Sequence, residues 1–209
     1  MDGTLVQSTL DFTAMYARCG VDRSQDILAV IASWTDPARR AEAHAAIEEV
    51  ERDALATMKL LPGAAELGAW CAARGLPLGL VTRNTASSVE HLHRVHWAPL
   101  APFAPAVSRD QGLPAKPHPD ALLHCATTWG VPPSSCVMVG DSPRDDVVAG
   151  RRAGFVTVLI AGASGRHGTG AVAAAAEHPE RTPHALVEDL LALPATLEQL
   201  FEVPPPLAF

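Results

Sequence analysis

The feature that most constrains this chain is an apolar segment, Val137–Gly140, that ends directly in the acidic run Asp141–Asp146. A short apolar run broken by a glycine and followed by a helical pattern is typical of a buried parallel strand. Open α/β sheets bind their ligands at the carboxyl ends of such strands. The segment therefore predicts a parallel sheet whose ligand site contains carboxylates.

The acidic run suggests a metal, although it leaves a simpler structural alternative open. Asp141, Asp145 and Asp146 lie within six residues, and carboxylates that crowd together repel one another unless a cation lies among them. Mg²⁺ prefers a few carboxylate oxygens together with water and phosphate. An acidic turn that caps the following helix would have the same sequence, so the segment alone does not decide between the two.

Composition excludes several classes of partner. Of the 209 residues, 48% are hydrophobic and 19% are charged, which allows one domain with an insertion and a sizeable core. The net charge of −7 and the lack of a basic stripe argue against a nucleic acid partner. Prolines, glycines and charges interrupt every apolar run before the roughly 18 residues that a membrane span needs.

Cysteine usage and the amino terminus indicate a reducing compartment. The four cysteines are scattered without CxxC spacing, so we expect buried free thiols rather than disulfides. The sequence shows no secretory signal. We therefore predict a cytoplasmic protein, or an organellar one if a targeting segment precedes Met1.

The order of elements predicts an α/β fold with a helical insertion. Apolar segments of strand length alternate with helical patterns after residue 60, which implies βα units and a parallel sheet covered by helices. Residues before Leu61 are helical, with Asp36 and Pro37 as N-cap and first position of a long helix. We predict a core of residues 1–7 and 60–202, a small helical cap of residues 8–59, and a frayed tail of residues 203–209. The predicted strands are Leu76–Val81, Phe103–Val107, Val137–Gly140, Phe155–Ile160 and His184–Val187, and a glycine-rich loop is predicted at 162–170.

Four short segments fall, in order, at strand ends or before helices: Asp2-Gly3-Thr4, Thr82, Lys116, and Gly140-Asp141 with Asp145. Together they resemble the haloacid dehalogenase superfamily of phosphohydrolases, and within it the phosphoglycolate-phosphatase-like branch. The resemblance extends from Asp2 to about Asp189. It implies a Rossmann-like three-layer parallel sheet with an inserted small helical cap that closes over the site.

The resemblance also implies roles for individual residues. Asp2 resembles the acid/base that protonates the leaving alcohol, with its backbone carbonyl on Mg²⁺, and Thr4 resembles the residue that fixes this loop. Thr82 resembles the hydroxyl that binds a phosphoryl oxygen, and Lys116 the lysine that neutralises phosphate. Asp141 and Asp145 resemble the carboxylates at the metal. Asp146 is an alternative to Asp145, because this segment is one residue longer than in many relatives.

Simpler roles remain open for some of these residues. Thr82 could be a helix N-cap, and Lys116 could be a solvated loop residue, although Pro117 stiffens its loop. Arg83 and Asn84 follow Thr82 and either face the substrate with it or begin the next helix. We include both among the predicted substrate-binding residues, with Thr82 and Lys116.

The chain departs from the family pattern at its beginning. The first motif of the family is DxDxT, whose leading aspartate is the phosphorylated nucleophile, and here Asp2 occupies the second acidic position. The nucleophile is therefore expected just upstream of Met1, and the printed chain is expected to be inactive without it.

The resemblance implies a Mg²⁺-dependent phosphatase of small phosphorylated metabolites that acts through an aspartyl-phosphate, as a monomer or a homodimer. One alternative is a catalytically silent binding protein of the same fold. Another is a phosphomutase. A dehalogenase is disfavoured because it needs no Mg²⁺ cluster, whereas this chain has Asp141 and Asp145.

Overall fold

The computed structural model describes residues 1–7, 10–98, 100–161 and 178–207. The chain forms two compact units, Met1–Ser8 with Lys59–Phe209, and Thr9–Met58. The second unit coincides closely with the predicted cap, whose function as a cap stays a prediction. The predicted glycine-rich loop at 162–170 lies outside the described residues.

The unit Thr9–Met58 consists of helices α1 (Phe12–Cys19), α2 (Ile27–Ser33) and α3 (Pro37–Ala56). Each begins with an aspartate whose side chain accepts hydrogen bonds from backbone amides of the first turn, which satisfies donors that have no partner within the helix. The predicted start of α3 at Asp36 and Pro37 is confirmed. Apolar side chains form the interior of this unit: Met15, Cys19, Val21, Ile27, Ile31, Ala43, Ile47 and Val50.

The larger unit contains the predicted parallel strands. Strand β1 (Leu80–Val81) pairs in parallel with β2 (Ala106–Val107). Strands β3 (Val137–Gly140), β4 (Val156–Ile160) and β5 (Ala185–Val187) form a second parallel sheet in the order β3-β4-β5. The α/β fold is therefore confirmed.

Strand β1 is shorter than the predicted strand Leu76–Val81. The amide of Ala104 donates to the carbonyl of Leu78, so pairing reaches back along the segment without forming a continuous ladder. Pro77 and Pro105 have no amide hydrogen to contribute to such a ladder. The regular strand is limited to its last two residues for this reason.

The described residues of this unit also form helices. They are α4 (Ala64–Ala72), α5 (Ala86–His91) with a π-helical continuation (Leu92–Trp97), α6 (Asp120–Trp129), α7 (Val148–Ala153) and α8 (Leu193–Leu200). In the described part of the chain, 3₁₀ turns lie at Arg109–Gln111, Pro133–Ser135 and Pro179–Arg181. A π-helical turn at Pro143–Val147 leads into α7. Among the described helices, none combines the length and the apolar character needed to cross a bilayer.

Helix α7 packs closely on the sheet. A Cβ atom added to Gly150 would lie 2.4 Å from Thr157 Cγ2 and 2.9 Å from Met138 Cβ, so only a glycine allows this approach. All four cysteines are buried and free, as predicted. Burial raises the pKa of Cys71 and of Cys125 to about 11, which keeps both as thiols at neutral pH.

The amino-terminal segment is fixed to the larger unit by backbone pairing. Leu5 and Val6 donate to the carbonyl of Met1, and Val6 forms an antiparallel bridge with Leu60. The amide of Leu61 donates in turn to the carbonyl of Leu5 at 2.9 Å. This tight turn determines where Asp2 and Thr4 lie.

Candidate functional site

The predicted site residues converge where the amino-terminal turn meets the residues that follow β1 and β3. Thr82 follows β1, Asp141 follows β3, and Asp2 and Thr4 belong to the turn. Hydrogen bonds join the turn to each of the other two segments. The parallel strands β1 and β3 therefore place polar residues at their carboxyl ends, as the sequence predicts.

Asp141 is held by the amino-terminal turn. The hydroxyl of Thr4 donates to Asp141 Oδ1 at 2.8 Å. Gly3 has φ of +74°, and a Cβ atom at this position would lie 2.4 Å from Asp141 Oδ2. Only a glycine fits here, because both the conformation and the space exclude a side chain. Thr4, which is predicted to fix the geometry of this loop, therefore binds Asp141.

Lys116 forms a buried ion pair with Asp146. Its Nζ lies 2.7 Å from Asp146 Oδ1 and donates to the carbonyl of Val81 at 3.0 Å. The two side chains are only 10% and 7% exposed. Lys116 is therefore not a solvated loop residue, and it connects the end of β1 to the segment after β3.

The second oxygen of Asp146 is bound by backbone amides. Asp146 Oδ2 accepts from the amides of Asp141 at 3.1 Å and Ser142 at 3.0 Å. A Cβ atom on Gly140 would lie 2.2 Å from the same oxygen, so this glycine makes room for the carboxylate. The carboxylate, the ammonium and the two amides form one buried polar network.

The pKa values of the Asp141 and Asp146 carboxyl groups shift in opposite directions. Burial raises the pKa of Asp141, and the nearby charge of Asp146 raises it further, against the hydrogen bond from Thr4. For Asp146, burial also disfavours the charged form, but the charge and hydrogen bond of Lys116 outweigh it and lower the pKa. Asp146 is thus held as an anion, whereas for Asp141 the attraction of the amino terminus and of Lys116 does not offset burial and the charge of Asp146.

Asp146, the predicted alternative, occupies the position beside Lys116, whereas Asp145 lies half-buried one residue earlier. Asp145 donates its backbone amide to Ser142 Oγ at 3.1 Å. The π-helical turn at Pro143–Val147 explains the difference, since a π turn accommodates one more residue than an α turn. The extra residue of this segment therefore brings Asp146 to the network.

The residues after β1 form the opposite side of the site. Thr82 and Asn84 are buried, and the amide of Asn84 donates to Thr82 Oγ1 at 3.1 Å. The side-chain amide of Asn84 donates to Asp2 Oδ2 at 2.5 Å. Arg83 is half-buried. The N-cap of α5 is Thr85, so Thr82 does not serve as that cap.

Sequence reasoning named Gly140 without giving it a role, and it missed two other residues that shape the site. Ser142 caps the π turn, Gly140 leaves space for Asp146, and Asp110 Oδ2 accepts from the amide of Ala86 at 2.6 Å. The order serine then proline is an N-cap signal that could have identified Ser142. Asp110 gives no local signal, because its partner lies 24 residues away.

The oxygen-rich donor set suits a hard divalent cation. Within the described part of the chain, no three His, Cys, Asp or Glu side chains converge on one point. Mg²⁺ requires only one or two carboxylates, with water and phosphate oxygens completing its shell. Asp141 offers one such carboxylate, and its unfavourable charge is one that a cation would relieve. Both oxygens of Asp146 are already bound, by Lys116 and by two backbone amides.

Comparisons with known proteins agree on one family. The sequence model of the haloacid dehalogenase-like hydrolase family matches residues 1–154. A haloacid dehalogenase-like hydrolase domain-containing protein of Arabidopsis thaliana is 36% identical over 179 residues, which cover 80% of this chain and 71% of that protein. A phosphoglycolate phosphatase of Nitrosococcus oceani is 36% identical over 101 residues, 48% of this chain and 44% of the enzyme.

Solved structures share the fold at low identity. A hydrolase from Pseudomonas syringae has a TM-score of 0.71 at 18% identity, with 95% of each chain covered. A putative beta-phosphoglucomutase from Thermotoga maritima has a TM-score of 0.65 at 20% identity, with 96% of this chain and 97% of that chain covered. These similarities support a Rossmann-like α/β core.

Proposed function

Because this chain belongs to the haloacid dehalogenase-like hydrolases, we propose that it is a Mg²⁺-dependent phosphatase of small phosphorylated metabolites. The observation that carries the proposal is the buried Lys116–Asp146 pair beside Asp141. A buried ion pair contributes little to stability when compared with apolar side chains of similar size, so such a pair indicates a function. A phosphoryl group needs the positive charge and the oriented donors that this network provides.

In this proposal each residue acts on a specific atom of the substrate. Lys116 neutralises a phosphoryl oxygen, and the Thr82 hydroxyl donates to another, with backbone amides of the following residues in support. Asp2 donates a proton to the leaving oxygen and then removes one from the attacking water. The carboxylate of Asp141 and the carbonyl of Asp2 would hold Mg²⁺, and Asp146 would hold Lys116 in place beside them. Bound Mg²⁺ would supply charge that stabilises the phosphoryl group during transfer.

The proposed covalent intermediate needs a carboxylate beyond those of the described site. In the DxDxT motif the nucleophile directly precedes the residue that is Met1 here. We therefore propose that turnover requires an aspartate joined to the amino side of Met1, and that the printed 209 residues do not turn over alone.

The test measures hydrolysis of p-nitrophenyl phosphate with and without Mg²⁺. The 209-residue chain is compared with the same chain extended by a short apolar segment that ends in Asp immediately before Met1. An identical extension that ends in Asn is the matched control. We expect Mg²⁺-dependent turnover only with Asp, and its loss in Asp141→Asn. Equal turnover by the Asp and Asn extensions would contradict the proposed nucleophile.

Two alternatives are distinguished by the same proteins. If no extension gives turnover but the folded chain binds phosphate with Mg²⁺, a silent binding protein is favoured. A phosphomutase would convert a sugar monophosphate to its isomer faster than it releases phosphate. The structural similarity to a putative beta-phosphoglucomutase is the reason to run the isomerisation assay together with the phosphatase assay.

A further inference from the structure

The side chain of Asn84 is buried and donates a hydrogen bond to Asp2 instead of to solvent. Asn84 is 8% exposed, and its Nδ2 lies 2.5 Å from Asp2 Oδ2. A carboxylate oxygen only accepts, so the nitrogen of the amide must face it. The sequence predicts Asn84 to be a substrate contact, whereas in the structure its donor is already directed at another residue of the site.

The backbone around Asn84 is fixed on both sides. Its amide donates to Thr82 Oγ1 at 3.1 Å, and its carbonyl accepts from the amide of Arg109 at 3.0 Å. The next residues begin α5, where Thr85 caps the helix and Asp110 binds the amide of Ala86. With its main chain held by two partners and its side chain buried, Asn84 presents its amide in one direction.

This direction matters because a general acid must hold its proton at the leaving oxygen. A hydrogen bond from Asn84 to Oδ2 fixes the plane of the Asp2 carboxyl group and occupies one of its oxygens. In the proposed mechanism, Oδ1 is then the oxygen left to exchange a proton with the leaving group. Geometry of this kind is a precondition for proton transfer, which contributes about 10²–10⁴-fold in enzymes. Asn84 itself carries no transferable proton at neutral pH.

We propose that Asn84 is a positioning residue that orients the Asp2 carboxyl group for proton transfer to the leaving alcohol. The proposal rests on the proposed phosphatase function. It has a specific consequence, because leaving groups differ in their need for a proton. An alkoxide leaves poorly without one, whereas p-nitrophenolate is a stable anion. Loss of Asn84 should therefore affect alkyl phosphates selectively.

The experiment compares n-propyl phosphate with p-nitrophenyl phosphate, using the chain extended by Asp before Met1. In Asn84→Ala we expect kcat for n-propyl phosphate to fall by about 10–100-fold, against about threefold or less for p-nitrophenyl phosphate. KM should be unchanged for both. Asn84→Leu keeps the approximate size of the side chain and removes the donor, so it should behave in the same way if the alanine variant folds poorly.

Two further variants separate positioning from a structural effect. Thr85→Ala removes the neighbouring cap of α5 and should lower both activities by the same factor. In an Asp2→Asn background, Asn84→Ala should cause no additional loss with n-propyl phosphate, because both changes then remove the same function.

The outcomes distinguish this proposal from the proposed function. If the extended chain hydrolyses both substrates and Asn84→Ala leaves their ratio unchanged, the positioning role is wrong and the phosphatase stands. A raised KM with unchanged kcat would make Asn84 a substrate contact and would also overturn it. If the unmodified extended chain hydrolyses neither substrate, the phosphatase function fails, and this inference fails with it.

Discussion

The helical unit Thr9–Met58 and the α/β unit place their polar groups differently. In the helical unit, large side chains such as Ile31 and Ile47 are fully buried, and the ion pair between Arg18 and Glu49 is about half exposed. In the α/β unit, the ion pair between Lys116 and Asp146 lies in the interior.

The buried groups of the two units contribute differently to stability. Burial of apolar side chains stabilises the helical unit directly, at roughly 25 cal/mol per Å². The buried charges of the α/β unit have lost their water, and their mutual attraction offsets that cost only while both partners are present. The comparison therefore predicts that a single substitution lowers the free energy of unfolding most when it leaves a buried charge unpaired.

The largest expected effect is that of Lys116→Met, which removes the cation and nearly keeps the volume. Asp146 would remain buried with an uncompensated charge, so we expect a loss of about 3–5 kcal/mol in the free energy of unfolding. Urea denaturation measures it, with the exposed Lys59→Met as control. Adding Asp146→Asn should recover much of the loss. A loss below about 1 kcal/mol in the single variant would show that the pair is not buried in solution.

Ile47→Ala tests how much apolar burial stabilises the helical unit. Ile47 is 1% exposed in the apolar interior of the helical unit, so its truncation should cost about 2–4 kcal/mol through lost burial and a cavity. The same denaturation experiment measures this loss, and no second substitution at a polar site should restore it. The exposed Ala45→Gly, in the same helix, controls for helix propensity at about 1 kcal/mol. An effect no larger than this control would contradict the packing of α3.

Sequence predicted well those features that depend on neighbouring residues. Asp36 and Pro37 specify the start of α3 through their own chemistry, and the apolar run before Asp141 specifies β3. It predicted less well what depends on distant contacts. The choice between Asp145 and Asp146 follows from a π turn and from Lys116, 30 residues away. The partner of Asn84 is separated from it by 82 residues. Neither relation has a local pattern.

Asp36→Ala should have a smaller effect, since it removes a capping interaction at the surface and no buried group. The Asp36 side chain accepts from the amide of Ala38 at 2.9 Å, and substitutions at such caps cost about 1 kcal/mol. Thermal denaturation followed by circular dichroism measures the change. Asp36→Ser, which retains a capping oxygen, is the matched control and should lie close to the unmodified protein. Equal losses in both variants would assign the effect to the charge and not to the cap.

The smallest effect concerns a polar contact that is neither buried like Lys116 nor at a helix end. The amide of Thr157 donates to His184 Nδ1 at 3.0 Å, so this nitrogen must be unprotonated. Burial and the charge of Arg151 lower the pKa of His184 below its ordinary value of 6.5. The unfolded chain therefore binds the proton first as the pH falls, and stability should decline below about pH 6.5. Because His184 is only partly buried, solvent screening keeps the decline small. Urea denaturation at pH 7.5 and 5.5 measures it, and His184→Asn should reduce the difference between the two values. If His184→Asn leaves that difference unchanged, the decline comes from other groups, and the contact at Thr157 contributes nothing to the pH dependence.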